Sequence, residues 1–216
     1  MKVGTDGVLL GAWSAAAHKK NILDIGTGTG LIALMMAQRN PDAQITGIEI
    51  NKEAYLQACE NVNDSPWADR VNICHIDFKT YQTENKFDLI VSNPPFFTNS
   101  LLGPDHKRNL ARHTTELTYT ELLRKASTLL SANGELDIIF PAGEESYIKE
   151  QSLISGLTPC RQLNILPTPD APVKRILLGF SFSEKECVSH QIIIETARHQ
   201  YSDEYISLTR EFYLKM

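Results

Sequence analysis

Short apolar runs and helical patterns take turns along the first two thirds of this chain, and that alternation constrains its fold more than any other feature. Asn21–Ile25, Gln44–Ile50, Val71–His75, Phe87–Ser92 and Glu135–Phe140 read as strands one to five. Helical patterns run over Leu31–Arg39, Lys52–Asn61, Leu117–Leu130 and Glu144–Ser155. Such alternation implies right-handed crossovers and a parallel sheet covered by helices on both faces. The last third changes character. Arg161–Leu166, Arg175–Phe182 and Gln191–Glu195 read as strands, with no helix between the last two, so an antiparallel pair is expected to finish the sheet. Ser202–Lys215 carries Tyr205, Leu208, Phe212 and Leu214 behind a Ser-Asp-Glu start suited to helix capping. The proline-rich stretch Pro167–Pro172 is too short to link domains. We expect one domain over residues 1–216, with a core at about 20–183 and a carboxyl-terminal strand and helix at about 190–216.

Composition excludes several classes. An apolar fraction of 42% and a charged fraction of 22% are ordinary for a globular domain. No run approaches the ~18 apolar residues of a membrane span, and Met1–Asp6 lacks the layout of a signal peptide. Cys59, Cys74, Cys160 and Cys187 are scattered, without metal-site or redox spacing, which fits free thiols in a reducing cytoplasm and no metal. A formal charge of −5 does not advertise a nucleic-acid binder, so any RNA partner needs a local basic surface.

Asp24-Ile25-Gly26-Thr27-Gly28-Thr29-Gly30 follows strand one and opens a helix. Gly26 and Gly28 permit a tight turn and close backbone approach, and the helix start offers free N–H groups. The third glycine, Gly30, comes one residue early for a dinucleotide fingerprint. With an acid just upstream, the loop suits the ammonium and carboxylate of the S-adenosylmethionine amino-acid tail. Glu49 ends strand two, ~20 residues on, where a carboxylate can accept both ribose hydroxyls. Asp77 follows strand three and can accept from an adenine amino group with Phe78 alongside, or serve as a turn residue. Thr5 and Asp6 lead into the first helix and either contact the cofactor or cap the helix. Trp67, in a loop after the second helix, reads as packing.

Asn93-Pro94-Pro95-Phe96 ends strand four. Two prolines stop the strand and hold the preceding residue extended, which presents Asn93 in a fixed direction at the carboxyl edge of the sheet. A rigid carboxamide, exposed carbonyls and an aromatic face there suit a planar molecule bearing an NH2 group. Downstream of a glycine-rich nucleotide loop, this points to methyl transfer onto such a nitrogen.

With these motifs the chain resembles the class I S-adenosylmethionine-dependent methyltransferases over nearly its whole length. That resemblance implies a Rossmann-like α/β fold: a seven-stranded, mostly parallel sheet with one antiparallel strand and helices on both faces. Lys2–Gly11, Asn61–Arg70, Ala111–Thr115, Tyr201–Tyr205 and Phe212–Met216 narrow it, for together they look like the bacterial tRNA1(Val) adenine-N6 methyltransferases. In that family an aromatic and basic stretch usually precedes the Lys-Val-Gly-Thr-Asp segment. This sequence starts at Met1 without it, and a contributor to the cofactor lid or RNA surface is expected to be missing. The resemblance implies that S-adenosyl-L-methionine is the cofactor, with Asn93 at its reactive end, and that no metal takes part. It also implies that the Asn93 side-chain oxygen and the Pro94 carbonyl accept the two N–H bonds of an adenine amine. Phe96 is expected to stack on the base, a contact worth ~1–3 kcal/mol. The face that Phe97 occupies stays open.

Lys107, Arg108, Arg112 and His113 follow the turn, and Lys174-Arg175 follow the proline-rich loop. Both groups are expected at the carboxyl edge of the sheet, where Lys107, Arg108, Arg112, Lys174 and Arg175 could meet tRNA phosphates or simply face solvent. His18-Lys19-Lys20, at the opposite end of strand one, reads as a turn. An anticodon-loop base is unpaired and cheap to extrude, so a single domain, expected to be monomeric, suffices. Two rivals remain. One is an rRNA guanine-N2 or protein glutamine-N5 methyltransferase built on the same turn. The other is a non-catalytic S-adenosylmethionine- or RNA-binding module, which would be expected to lack Asn93 or Glu49.

Overall fold

A computed structural model of the chain describes residues 4–95 and 117–214. Its centre is an eight-stranded sheet. The strands are β1 (Asn21–Ile25), β2 (Gln44–Glu49), β3 (Val71–His75), β4 (Phe87–Ser92), β5 (Leu130–Pro141), β6 (Thr158–Leu166), β7 (Arg175–Ser181) and β8 (Val188–Ile193). They lie in the order β3-β2-β1-β4-β5-β7-β6-β8. A small hairpin, β9 (Glu195–Ala197) with β10 (Gln200–Tyr201), stands apart from the sheet.

Helices α1 (Thr5–Trp13), α2 (Leu31–Arg39), α3 (Lys52–Asn63), α4 (Tyr119–Leu129), α5 (Glu145–Ile154) and α6 (Asp203–Thr209), with 3-10 turns at Ala142–Glu144 and Arg210–Phe212, complete the described fold. Local chemistry sets several of their starts. The Asn51 side chain accepts from Ala54 N–H at the head of α3. Thr118 and Glu121 form a reciprocal capping box on α4, so that helix begins two residues after Leu117. Ser202 accepts from Tyr205 N–H to start α6.

Period-two alternation sends neighbouring apolar residues to opposite cores. Ile22, Leu89 and Val91 join Leu9 and Leu10 of α1, Met36 of α2 and Tyr205 of α6 in one cluster. Leu23, Ile25 and Ile90 join Leu122 and Leu123 of α4 and Ile148 of α5 in the other. Trp67 packs against the first cluster, in keeping with the packing role read for it.

The sheet is mostly parallel as expected, and only β7 runs against its neighbours. Two details differ. There are eight strands where the resemblance implied seven. The expected antiparallel pair of the last two strands does not form: β7 inserts between β5 and β6, and β8 pairs in parallel with β6 at the sheet edge. The burial patterns explain it. Residues Ile176 to Phe180 of β7 are all buried, which only an interior strand provides, whereas the first four residues of β8 are exposed.

Because β1 pairs with both β2 and β4, chain direction across the sheet reverses at β1. In an open α/β sheet the crevice beyond the carboxyl ends of the strands at such a point is the ligand site.

Candidate active site

Beyond the carboxyl ends of β1 to β4 lies a cavity of about 930 Å³. Its walls include Gly26 and Gly28 from the loop after β1, Glu49 at the end of β2, Asp77 and Phe78 after β3, and Asn93, Pro94 and Pro95 after β4. Four separate stretches of sequence thus converge on one space.

The loop after β1 is built for close approach. Gly26, Gly28 and Gly30 have φ of 70°, 60° and 83°, a region that side chains with a Cβ avoid. Gly26 and Thr27 donate their N–H groups to Ile48 O, which stitches the loop to β2. Gly47 must stay bare for the same reason: a Cβ there would come within 3.0 Å of Thr27 Cγ2 and 2.7 Å of Ile73 Cδ1.

Glu49 is buried, and its carboxylate is held on both sides. Oε2 accepts from Gly28 N–H at 2.9 Å and Oε1 from Asn51 N–H at 2.7 Å. A carboxylate has about four acceptor positions, so two remain for a diol in the cavity. Asp77 Oδ1 accepts from Lys79 N–H at 2.8 Å, and its other oxygen has no hydrogen bond with any described residue, though the Lys125 charge acts on the carboxylate. Asp77 is therefore both the turn residue and an available acceptor. Phe78 is buried in the second core cluster and also lines the cavity.

Asn93 is half-buried, and its carboxamide makes no hydrogen bond with any described residue. The strand end beneath it is fixed, because the Ser92 hydroxyl donates to Ile25 O at 2.9 Å. Pro94 is buried and Pro95 exposed. Phe96, Phe97, Lys107, Arg108, Arg112 and His113 lie outside the described residues.

Asp24, expected at the ligand, sits one layer back. It is fully buried, and its Oδ2 accepts from the Thr27 hydroxyl at 2.6 Å and from Ala33 N–H at 3.1 Å. It clamps the loop to the start of α2 and does not line the cavity. Burial, with a smaller push from the Glu49 charge, raises its pKa to about 7. Gly30 likewise stays behind the wall, at the N-cap of α2 with its Cα side against Ala58.

Thr5 and Asp6 are not before the first helix but within its first turn. No side chain caps α1, so the capping alternative fails; Gly7 of α1 and its N-cap Gly4 line the cavity wall. Asp6 Oδ2 instead accepts from Arg175 Nε at 3.0 Å. Arg175, read from sequence as an RNA contact, is thereby committed to α1, while the neighbouring Lys174 is exposed.

Sequence reasoning passed over Ile50, Asn51 and Ser92. Ile50 lines the cavity at 58% exposure, an apolar surface beside Glu49 waiting for a flat partner. The signal for Asn51 was the helix-start pattern Asn-Lys-Glu-Ala. Nothing in the residue type of Ser92 marked its tie to β1.

Among the described residues no group of three His, Cys, Asp or Glu side chains is placed to hold a metal ion. None of their helices is long and apolar enough to cross a membrane. What the site offers is a set of acceptors: a clamped carboxylate, and a second carboxylate oxygen and a carboxamide that have no hydrogen bond with any described residue.

Comparison with known proteins agrees with this geometry. Residues 3–147 match the family model described as methyltransferase small domain. A Bacteroides fragilis protein named tRNA1(Val) (adenine(37)-N6)-methyltransferase is 51% identical across all of this chain and 92% of its own length. A protein of the same name from Flavobacterium psychrophilum is 46% identical across all of this chain and 94% of its own. Among solved structures, a predicted O-methyltransferase from Agrobacterium tumefaciens superposes with a TM-score of 0.68, covering 95% of this chain and 96% of its own. At 18% identity that likeness speaks for the fold alone. The chain belongs to the tRNA1(Val) (adenine(37)-N6)-methyltransferase family, within the methyltransferase small domain family.

Proposed function

We propose that the protein is a transferase that uses S-adenosyl-L-methionine to methylate N6 of the adenine immediately 3′ of the anticodon in tRNA1(Val). The observation that carries this reading is the single cavity that unites the Gly28 loop, Glu49 and Asp77 with Asn93-Pro94-Pro95. The names of the full-length relatives support the tRNA adenine over a guanine or a glutamine amide.

The residues fit the cofactor. Glu49, held by two backbone N–H groups, has acceptor positions left for the ribose hydroxyls. Asp77 has a carboxylate oxygen without a hydrogen bond among the described residues for the adenine amine, and Ile50 and Phe78 offer apolar surface for the ring. Gly26 and Gly28 let the backbone approach the amino-acid tail. When bound, S-adenosyl-L-methionine supplies an electrophilic methyl group on a sulfonium centre.

The chain's own part is positioning and charge stabilisation. The exocyclic nitrogen of adenine is a weak nucleophile because its lone pair is delocalised into the ring. Asn93 Oδ1 and Pro94 O, accepting one N–H each, favour a pyramidal nitrogen whose lone pair points into the cavity. The same two oxygens stabilise the positive charge that grows on nitrogen during transfer, an electrostatic preorganisation. Prolines on both sides of that carbonyl limit its movement, which supports in-line geometry. The surplus proton leaves after transfer, when the amine has become acidic, so no strong base is required. Phe96 is assigned to stack on the base, and Lys107, Arg108, Arg112 and Lys174 to RNA phosphates. One chain supplies the whole cavity, so a monomer suffices. The four cysteines are free thiols, as suits the cytoplasm in which tRNA is modified.

The test is direct. Incubate the protein with labelled cofactor and separate pools of tRNA, rRNA and release factor, then map the label. N6-methyladenosine in tRNA is expected; label confined to guanosine or to protein would overturn the reading.

A further inference from the structure

Beside the cavity, and sharing Lys79 and Leu117 with it, lies a second concavity of about 330 Å³. Its remaining lining is Glu121, Arg124, Lys125 and Thr128. These four residues fall at helical spacings of three, four and seven, so they form one stripe of α4. Opposite the stripe runs the chain that leaves Asp77. The groove therefore starts at the ligand cavity and follows α4 for roughly 10 Å, at 1.5 Å per residue. Near its far end Lys86 donates to Thr128 O, which pins the opposite wall to the helix.

The charges in this groove are unequally engaged. Lys125 turns inward, with its ammonium 2.7 Å from Lys79 O and 5.3 Å from the centre of the Phe78 ring. It shapes the wall between groove and cavity. Lys79 Nζ is 3.7 Å from Glu121 Oε1, a loose pair that a phosphate can compete for. Arg124 is exposed, and its guanidinium has neither an ion pair nor a hydrogen bond with any described residue. In a chain of net charge −5, such a cationic groove opening straight off the ligand cavity is a local reversal of sign.

We propose that this groove seats the phosphate backbone of the RNA substrate next to its extruded base, with Arg124 and Lys79 as the phosphate contacts. The inference rests on the tRNA methyltransferase reading above and adds Lys79 and Arg124 to the phosphate contacts assigned there. A nucleotide whose base enters beside Pro95 and Leu117 leaves its sugar-phosphate at the mouth of the groove. Arg124 offers a planar fork that matches phosphate oxygens in pairs, while Lys79 offers a point charge. Both position the strand without reading its sequence.

The test uses the full chain and a tRNA1(Val) transcript, with Arg124→Ala, Arg124→Glu and Arg124→Lys compared with wild type across a salt series. For Arg124→Ala, KM for tRNA is expected to rise several-fold with kcat unchanged. The slope of log(kcat/KM) against log salt should become shallower by about 0.7, the value for one contact to a single-stranded phosphate. Arg124→Glu should raise KM further, and Arg124→Lys should restore the slope while recovering KM only in part. Calorimetric cofactor affinity and the melting temperature should match wild type, which separates a contact from a folding defect. Wild type that methylates tRNA while all three variants keep its KM and slope would overturn the groove and leave the activity standing. Wild type that methylates no tRNA would overturn both.

Discussion

Arg175 Nε lies 3.0 Å from Asp6 Oδ2, joining the first residue of β7 to the first turn of α1 across 169 positions of sequence. The pair is half-buried, and α1 with its N-cap supplies Gly7 and Gly4 to the cavity wall. It therefore ties a cavity-lining helix to the start of β7. Asp6→Asn is expected to lower stability by about 1 kcal/mol and to weaken cofactor binding several-fold. Thermal melting and calorimetry would check both; unchanged cofactor affinity would show that the pair is only a surface tie.

Asn93 has no partner among the described residues and sits in the cavity wall. Asn93→Ala should reduce kcat by about 10²- to 10³-fold, the cost of one lost charge-stabilising group. Cofactor affinity should survive with modest loss. Single-turnover methyl transfer to tRNA reads the first and calorimetry the second.

Glu49 receives the N–H groups of Gly28 and Asn51. Glu49→Ala leaves both donors unpaired and removes the proposed diol acceptor. Hydrogen bonds to a charged group contribute about 1.5–3 kcal/mol each, so cofactor affinity should fall by more than tenfold. Glu49→Gln, which can keep one of the two acceptor roles, should fall between Ala and wild type.

The Asp24 carboxyl has a pKa raised from 3.8 to about 7, chiefly by burial. The folded chain therefore binds a proton between those pH values that the unfolded chain has released. Stability from this group is highest below about pH 4 and declines as pH rises to about 7, by on the order of 4 kcal/mol at 1.36 kcal/mol per unit. Above pH 7 it is flat. Asp24→Asn keeps an oxygen to accept from Thr27 and Ala33 and cannot ionise. Denaturant titrations at pH 5 and pH 7.5 should show a smaller decline for Asp24→Asn than for wild type; equal declines would exclude Asp24 as the source.

Asp137 is fully buried, with Oδ2 accepting from Arg161 Nη2, whose guanidinium also lies 3.8 Å from the centre of the Trp13 ring. Arg161→Met should destabilise by about 3–5 kcal/mol, because it strands a buried carboxylate. Adding Asp137→Leu should recover much of that loss. Urea unfolding of both variants checks the coupling.

How much of this could be read beforehand depends on which force sets each feature. β1 and β4 begin and end where the apolar runs do, because burial on both faces dictates them locally, and the edge strand β3 matches its run although only Val71 is buried. The interior place of β7 was also written in Ile-Leu-Leu-Gly-Phe, a run without alternation, but the missing helix after it suggested a hairpin instead. The places of Gly28, Glu49, Asp77 and Asn93 at the cavity were legible because each ends or follows a parallel strand, and such a sheet brings strand ends together. The side on which Asp24 faces the glycine loop was not legible, since spacing does not distinguish a ligand contact from a clamp beneath the loop. The Asp6–Arg175 pair and the α4 groove join distant segments, so no local pattern announces them.

The interior position of β7 also dictates when the sheet can close. Until residues 175–181 are in place, β5 and β6 have nothing between them, and each presents an open row of backbone donors and acceptors. Synthesis proceeds from the amino terminus, so the half bearing the glycine loop emerges long before the strand that joins the two parts of the sheet. Such late, non-local pairing slows folding and leaves strand edges open to other chains in the meantime. A ribosome stalled before residue 181 would therefore hold a nearly complete site on a half-sealed sheet, a species inclined to aggregate rather than to work.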